Sequence, residues 1–210
     1  MLDRAKRVIT GLVLPAACLS AAAANAQELP VVFGVQLGAP VTLPECVRLE
    51  GETPNADGRV YYHVDQATTC AGLPFRRPNS PFRSADVQFS REEKPEITST
   101  DMIGLDFSKD SDKVIGIETG TPGYAAAALI IAQLTAKFGK PTMVDDDRQV
   151  VGGISVPTKH LIWKRTGFTV DYQSVYPFYT KEGYILVSTD EYDRLAREAA
   201  ADRAAKRTPL

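Results

Sequence analysis

The sequence predicts an α+β fold: an antiparallel sheet covered by one main helix, about residues 122–138, with a second helix at the C-terminal end. Three observations predict it. Short runs that alternate apolar and polar residues lie on both sides of a single segment with helical spacing. Turn-forming residues separate those runs at short intervals. Helical patterns do not recur between the runs, as the crossovers of a parallel sheet would require. The same elements suit one domain, with two related halves around one core as an alternative.

Taken in order, Val31 to Val35 is the first strand-like run. Arg59 to Val64 follows, with Val60, Tyr62 and Val64 alternating against Tyr61 and His63. Ala85 to Phe89, Met102 to Phe107 and Lys113 to Glu118 repeat the device, and each puts its apolar residues on one side of a strand. Gly51 to Gly58 and Arg91 to Ser99 are polar and rich in turn formers, so they read as loops.

The main helix is predicted to begin at Thr121, a capping residue, with Pro122 in the first turn. Tyr124, Ala127, Ala128, Ile131, Leu134 and Phe138 then draw one apolar stripe, which Gly139 and Pro141 end. Asp145, Asp146 and Asp147 read as a charged turn. Further strands are expected at Gln149 to Val156, His160 to Lys164, Phe168 to Tyr172 and Tyr184 to Thr189. Arg165, Thr166 and Gly167 form a hairpin turn between two of them, and Trp163 should face the helix together with Leu161. The last helix starts near Thr189, where Ser188 and Glu191 stand in capping-box spacing. Its face of Tyr192, Leu195, Ala196 and Ala199 is thin, so its end should fray beyond Asp202.

The N-terminal residues predict a compartment. Arg4, Lys6 and Arg7 precede an apolar run from Val8 to Ala24, and Ala24-Asn25-Ala26 supplies small residues at the two positions that a signal peptidase reads. Residues 1–26 therefore read as a secretion signal, 27–188 as one α+β domain and 189–210 as a C-terminal helix with a frayed tail. Gly11, Pro15 and the alanine-rich second half make the run a poor membrane span, and Pro15 argues against lipid attachment at Cys18. The expected location is periplasmic or secreted, with no transmembrane segment after cleavage.

Charge and cysteine content narrow the options. Acidic residues slightly outnumber basic ones, and a leader that carries Arg4, Lys6 and Arg7 away leaves the remainder more acidic still. A nucleic-acid partner would call for a basic face, so none is expected. Cys46 and Cys70 remain after Cys18 departs, and in an oxidising compartment they should pair as a disulfide.

No residue pattern compels catalysis. Gly116, Gly120 and Gly123 precede the helix, but their spacing matches no phosphate-binding loop, and a tight strand-to-helix turn is the expected arrangement. His63 and His160 are the only histidines, too few for a usual metal set without carboxylates. No serine stands in an elbow or three residues before a lysine. No catalytic, cofactor-binding or metal residues are therefore assigned. Two loops hold aromatic and basic residues where polar ones are usual. Pro74-Phe75-Arg76 recurs as Pro81-Phe82-Arg83, and Tyr176-Pro177-Phe178-Tyr179 forms the other. Phe75, Arg76, Phe82, Arg83, Tyr176, Phe178 and Tyr179 are the candidate partner-binding residues, because aromatic residues and arginine concentrate at the centres of protein interfaces. The alternative is that Phe75 and Phe82 fold back into the core.

Phe33-Gly34-Val35-Gln36-Leu37-Gly38, Lys137-Phe138-Gly139-Lys140-Pro141, and Trp163 with its hairpin together resemble a group of small exported bacterial proteins, mostly of unassigned function. Their helix-on-antiparallel-sheet layout is similar to that of the beta-lactamase inhibitor protein and of small outer-membrane assembly lipoproteins. Pro40 and Pro44 interrupt the stretch where that pattern usually runs into an amphipathic helix. The resemblance implies a non-catalytic envelope protein that contacts another protein: an inhibitor, an adaptor or an accessory factor. An envelope hydrolase with His160 beside a carboxylate and Ser155, or an assembly factor working through the final helix, are the rival expectations.

Overall fold

The computed structural model describes residues 28–56, 58–63, 66–76, 80–151, 153–176 and 181–206. The predicted leader, and with it Cys18, lies outside the described residues. Val31–Val32 (β1) and Val35–Gln36 (β2) form a small hairpin. The run read as one strand is thus two, because Phe33 and Gly34 turn the chain with φ of 52° and 78°, the backbone signature of a tight hairpin turn.

The remaining strands join one antiparallel sheet. Cys70–Ala71 (β3) and Phe75–Arg76 (β4) both pair with Arg83–Gln88 (β5). Beyond β5 come Met102–Phe107 (β6), Val114–Thr121 (β7), Gly183–Thr189 (β11), Phe168–Gln173 (β10), Ile154–Arg165 (β9) and Met143–Val151 (β8), in that spatial order. Helix α1 spans Ala127–Phe138, and α2 spans Asp190–Lys206. The α+β class, the main helix and the C-terminal helix are as the sequence predicts.

Alternation sets the core. Val87, Ile103, Leu105, Ile117, Val187, Val170, Tyr172, Leu161 and Trp163 are buried and cluster with Ala127, Ile130, Leu134 and Phe138 of α1. Trp163 is fully buried, and its Nε1 donates to the Gly139 carbonyl at 2.7 Å, so the helix end and the sheet share one anchor. Cys46 and Cys70 are bonded to each other, with Cα atoms 4.9 Å apart.

Several expectations are corrected. Thr121 does not cap α1: it ends β7 opposite Gly183, and a 3₁₀ turn at Tyr124–Ala126 leads into the helix. The buried stripe runs through Ile130 and leaves Tyr124 45% exposed, because the helix starts one turn later than Pro122 implies. Arg59 to Val64 is not a strand. Among its described residues only Tyr62 forms a bridge, with Arg48, flanked by two backbone bonds to the Val47–Leu49 stretch, Leu49 to the Tyr61 carbonyl and His63 to the Val47 carbonyl. Asp145 to Asp147 is no turn but the middle of β8, where the ladder to β9 holds all nine residues and Lys159 neutralises Asp146 at 2.9 Å. Gln149 to Val156 is not one strand but the tip of the β8–β9 hairpin, turned at Gly153 with φ 81°. Helix α2 is capped by Thr189, whose Oγ1 accepts from the Tyr192 amide, while the Ser188 hydroxyl donates to Asp193 instead. The helix continues past Asp202 to Lys206.

Candidate functional site: the open face of the sheet

Helix α1 occupies one face of the sheet, so residues of opposite parity line the other. Two lines of that second face follow from the strand registers. The first runs Asp86, Gly104, Glu118, Leu186, Asp171, Ile162, Met143 across seven strands. The second holds Gln88 and Met102, then Gly120, Tyr184, Gln173, His160 and Asp145. Glycines at 104 and 120 leave hollows in these lines. A Cβ at Gly104 would sit 2.8 Å from Cγ of Glu118, so the glutamate lies across the space that the missing side chain leaves.

The result is a trough of about 660 Å³ lined by Asp86, Met102, Glu118, Tyr176, Glu182, Tyr184 and Leu186, among others. Tyr176 and Tyr184 meet edge to face, with ring centroids 5.9 Å apart. The Tyr176 amide donates to the Glu182 carbonyl at 2.6 Å and closes the base of the loop that carries the ring. Among the described residues, three carboxylates line the trough, and neither lysine nor arginine does. Arg59 approaches Asp86 from outside at 3.2 Å while lying over the Phe75 ring. Burial, with help from Asp171 and Tyr176, pushes the Tyr184 phenol up to about 12, so it is a neutral hydroxyl at physiological pH. Burial also raises the Asp171 carboxyl, against the opposing pull of His160.

The other half of this face is closed by α2. Tyr192 stacks on Phe82 at 4.3 Å and lies directly over Gly116, where a Cβ would meet its ring at 2.7 Å. The Ser108 hydroxyl donates to Glu191 at 2.6 Å, and Ser84 donates to the buried Asp106 at 2.6 Å.

The sequence-predicted contact residues do not come together. Phe75 and Phe82 are each 7% exposed, packed inside as the alternative reading had it. Arg83 donates to Asp112 at 2.7 Å and to the Ser111 carbonyl at 2.9 Å. With the exposed Arg76 it lines a separate groove of about 310 Å³ against Leu195, Glu198 and Asp202 of α2. That groove is lined by Arg83 of β5 and the trough by Asp86 of the same strand, three residues and roughly 10 Å along it. Tyr176, 45% exposed, is the one predicted residue that lines the trough. Phe178 and Tyr179 lie outside the described residues.

Of the three glycines considered as a phosphate cradle, Gly116 seats Tyr192 and Gly120 belongs to β7. Gly123 turns the chain with φ 61° and ψ −159°, a conformation that side chains disfavour. His160 does stand beside a carboxylate, with Nε2 3.0 Å from Asp171 Oδ1. Ser155 is not its companion: its hydroxyl accepts from Arg148 Nε at 3.0 Å, and it lies five residues away along β9, roughly 17 Å. No group of three or more histidines, cysteines or carboxylates among the described residues is placed to hold a metal ion.

Sequence reasoning missed Gly104, Glu118, Tyr184 and Leu186. The available signal was glycine inside two strand patterns, which marks a close approach or a hollow. Comparison with protein-family models, with curated proteins and with solved structures finds no match for the chain.

Proposed function

We propose that this chain is an exported envelope protein, periplasmic or secreted, that acts without catalysis by binding another protein through the open face of its sheet. The observation that carries the proposal is the trough: a concave sheet surface with two contacting tyrosines, exposed Met102 and three lining carboxylates. Tyrosine supplies large contact area at low entropic cost, and a concave apolar floor with a charged rim is the form of a protein-recognition surface. The carboxylates favour a partner that presents lysine or arginine, whose apolar stem suits the floor and whose charge suits the rim. The leader-like residues 1–26 and the Cys46–Cys70 bond support the compartment, since disulfides persist where thiols are oxidised. No helix among the described residues is long and apolar enough to cross a membrane.

The test is affinity capture from periplasmic extract with wild-type protein, Glu118→Lys, Tyr184→Ala and Arg76→Ala side by side. A partner recovered by wild type and Arg76→Ala, and lost with Glu118→Lys and Tyr184→Ala, is the expected result. Equal recovery by all four, or loss with Arg76→Ala alone, would overturn the proposal and return attention to the α2 groove.

A further inference from the structure

The two edges of the sheet differ. One is formed by β3 and β4, two residues each, and Cys70 of β3 is tied by the disulfide. The other is β8, nine residues long, paired with β9 at every position and with no other strand among the described residues. Edges of this kind are normally blunted by charge, lysine above all, by proline or by a bulge, because their outward amides and carbonyls accept another strand. β8 has no lysine, proline or bulge, and the charge it carries is of both signs, with Asp145, Asp146 and Asp147 beside Arg148. Residues 142–148 are exposed, Val144 at 57%, and Val150 is 72% exposed.

The residues of β8 also say what fits the edge. A two-fold symmetric antiparallel pairing of two copies requires registers in which one residue faces its own copy, because only those keep the helix-covered faces of the two sheets on the same side. With Asp147 at the centre, Arg148 of each copy stands opposite Asp146 of the other, and Val150 opposite Val144. All four of those residues lie on one face of the strand, so the register makes two opposite-charge pairs and two apolar pairs there. Its cost is one Asp147 facing another. A slip to centre on Asp146 sets Asp145 against Asp147 twice and removes both arginine pairs. A slip to centre on Arg148 opposes the two arginines and sets Asp146 against Val150. Within one copy the Arg148 guanidinium reaches back to β9, with Nη2 3.2 Å from the Ser155 carbonyl, and Lys159 of β9 holds Asp146. Pairing therefore exchanges these exposed contacts within the hairpin for contacts across the seam.

We infer that β8 is a homodimerisation edge: two copies pair antiparallel about Asp147 and join their sheets into one. This is independent of the open-face reading, since no described residue of β8 lines the trough. A single strand pair is a small interface, so the dimer is weak, with a dissociation constant of about 10 µM to 1 mM.

Sedimentation equilibrium of the leaderless chain up to about 1 mM tests it, alongside Asp147→Asn, Arg148→Asp and the double swap Asp146→Arg with Arg148→Asp. Asp147→Asn relieves the one like-charge contact and should tighten the dimer by about threefold, while Arg148→Asp should weaken it by about tenfold. The double swap should restore it to within about threefold of wild type. Hydrogen exchange should show concentration-dependent protection in residues 143–151. A chain that stays monomeric at 1 mM would overturn the inference. So would a dimer that ignores all three variants or protects amides elsewhere. Asp147→Asn changes no shape and opposes only the threonine at 158 within the hairpin, so a folding defect would not mask the outcome.

Discussion

The two faces of the sheet are built from the same strands and do opposite things. On the α1 face, alternate residues are large, apolar and buried: Leu105, Ile117, Val187, Val170 and Trp163 stand in one register-matched band. On the other, the residues between them are Gly104, Glu118, Leu186, Asp171 and Ile162, a band that changes from glycine to charge to aliphatic at each step. A band of uniform large residues packs into a core and gives stability. A band of uneven size and charge leaves a shaped, open surface, the one proposed above to bind a partner. The half of the second face under α2 is intermediate, since Tyr192 fills the hollow at Gly116 from within the chain.

Substitutions can break or sharpen that contrast. Trp163→Ala removes a fully buried side chain and the bond to Gly139, and should cost about 3–5 kcal/mol in denaturant unfolding. Replacing both Cys46 and Cys70 by serine frees a loop of 24-residue separation and should cost about 3 kcal/mol. Gly116→Val displaces Tyr192 and should cost about 1–3 kcal/mol, with loss of helical signal from α2 by circular dichroism. Met102→Ser, on the open half, should change stability by no more than about 0.5 kcal/mol. A cost for Met102→Ser near that of Trp163→Ala would erase the distinction between the faces.

The smallest effect concerns pH. Burial raises the Asp171 carboxyl, so its neutral form is the one that folding favours. Its stabilising contribution is complete below the ordinary aspartate range and is lost as pH rises through the shifted value. Asp171→Asn should therefore gain on wild type across the range of rising pH above the ordinary aspartate value, as read from unfolding midpoints. An unchanged difference across that range would mean that His160 offsets the burial completely.

The closed face was legible because burial writes itself into sequence as alternation. Ile103, Leu105 and Phe107, or Leu161 and Trp163, need no partner identity to be recognised. Helix α1 was legible for the same reason, and Gly139 marked its end with φ 77°. Its start was not, because Thr121 and Pro122 satisfy the local rules for a helix start while the β7–β11 ladder claims Thr121 for the sheet. β8 was hidden by three aspartates that resemble a turn. An edge strand exposed at every residue from 142 to 148 tolerates charge that a packed strand would not. The open face was the hardest to read, since its meaning lies in what stands beside what. Glu118 over Gly104 and Tyr184 beside Tyr176 are neighbours only after the strands pair.

Hydrogen exchange of the leaderless protein, alone and saturated with a partner recovered by the affinity capture, tests the proposed binding face most directly. Slowed exchange should appear in β6, in the Gly116–Thr121 part of β7 and in β11 around Tyr184 and Leu186, while Arg76 to Arg83 and α2 stay unchanged. Protection confined to Arg76, Arg83 and the Leu195–Asp202 stretch of α2, with the trough exchanging as before, would contradict the assignment of the open face as the contact surface.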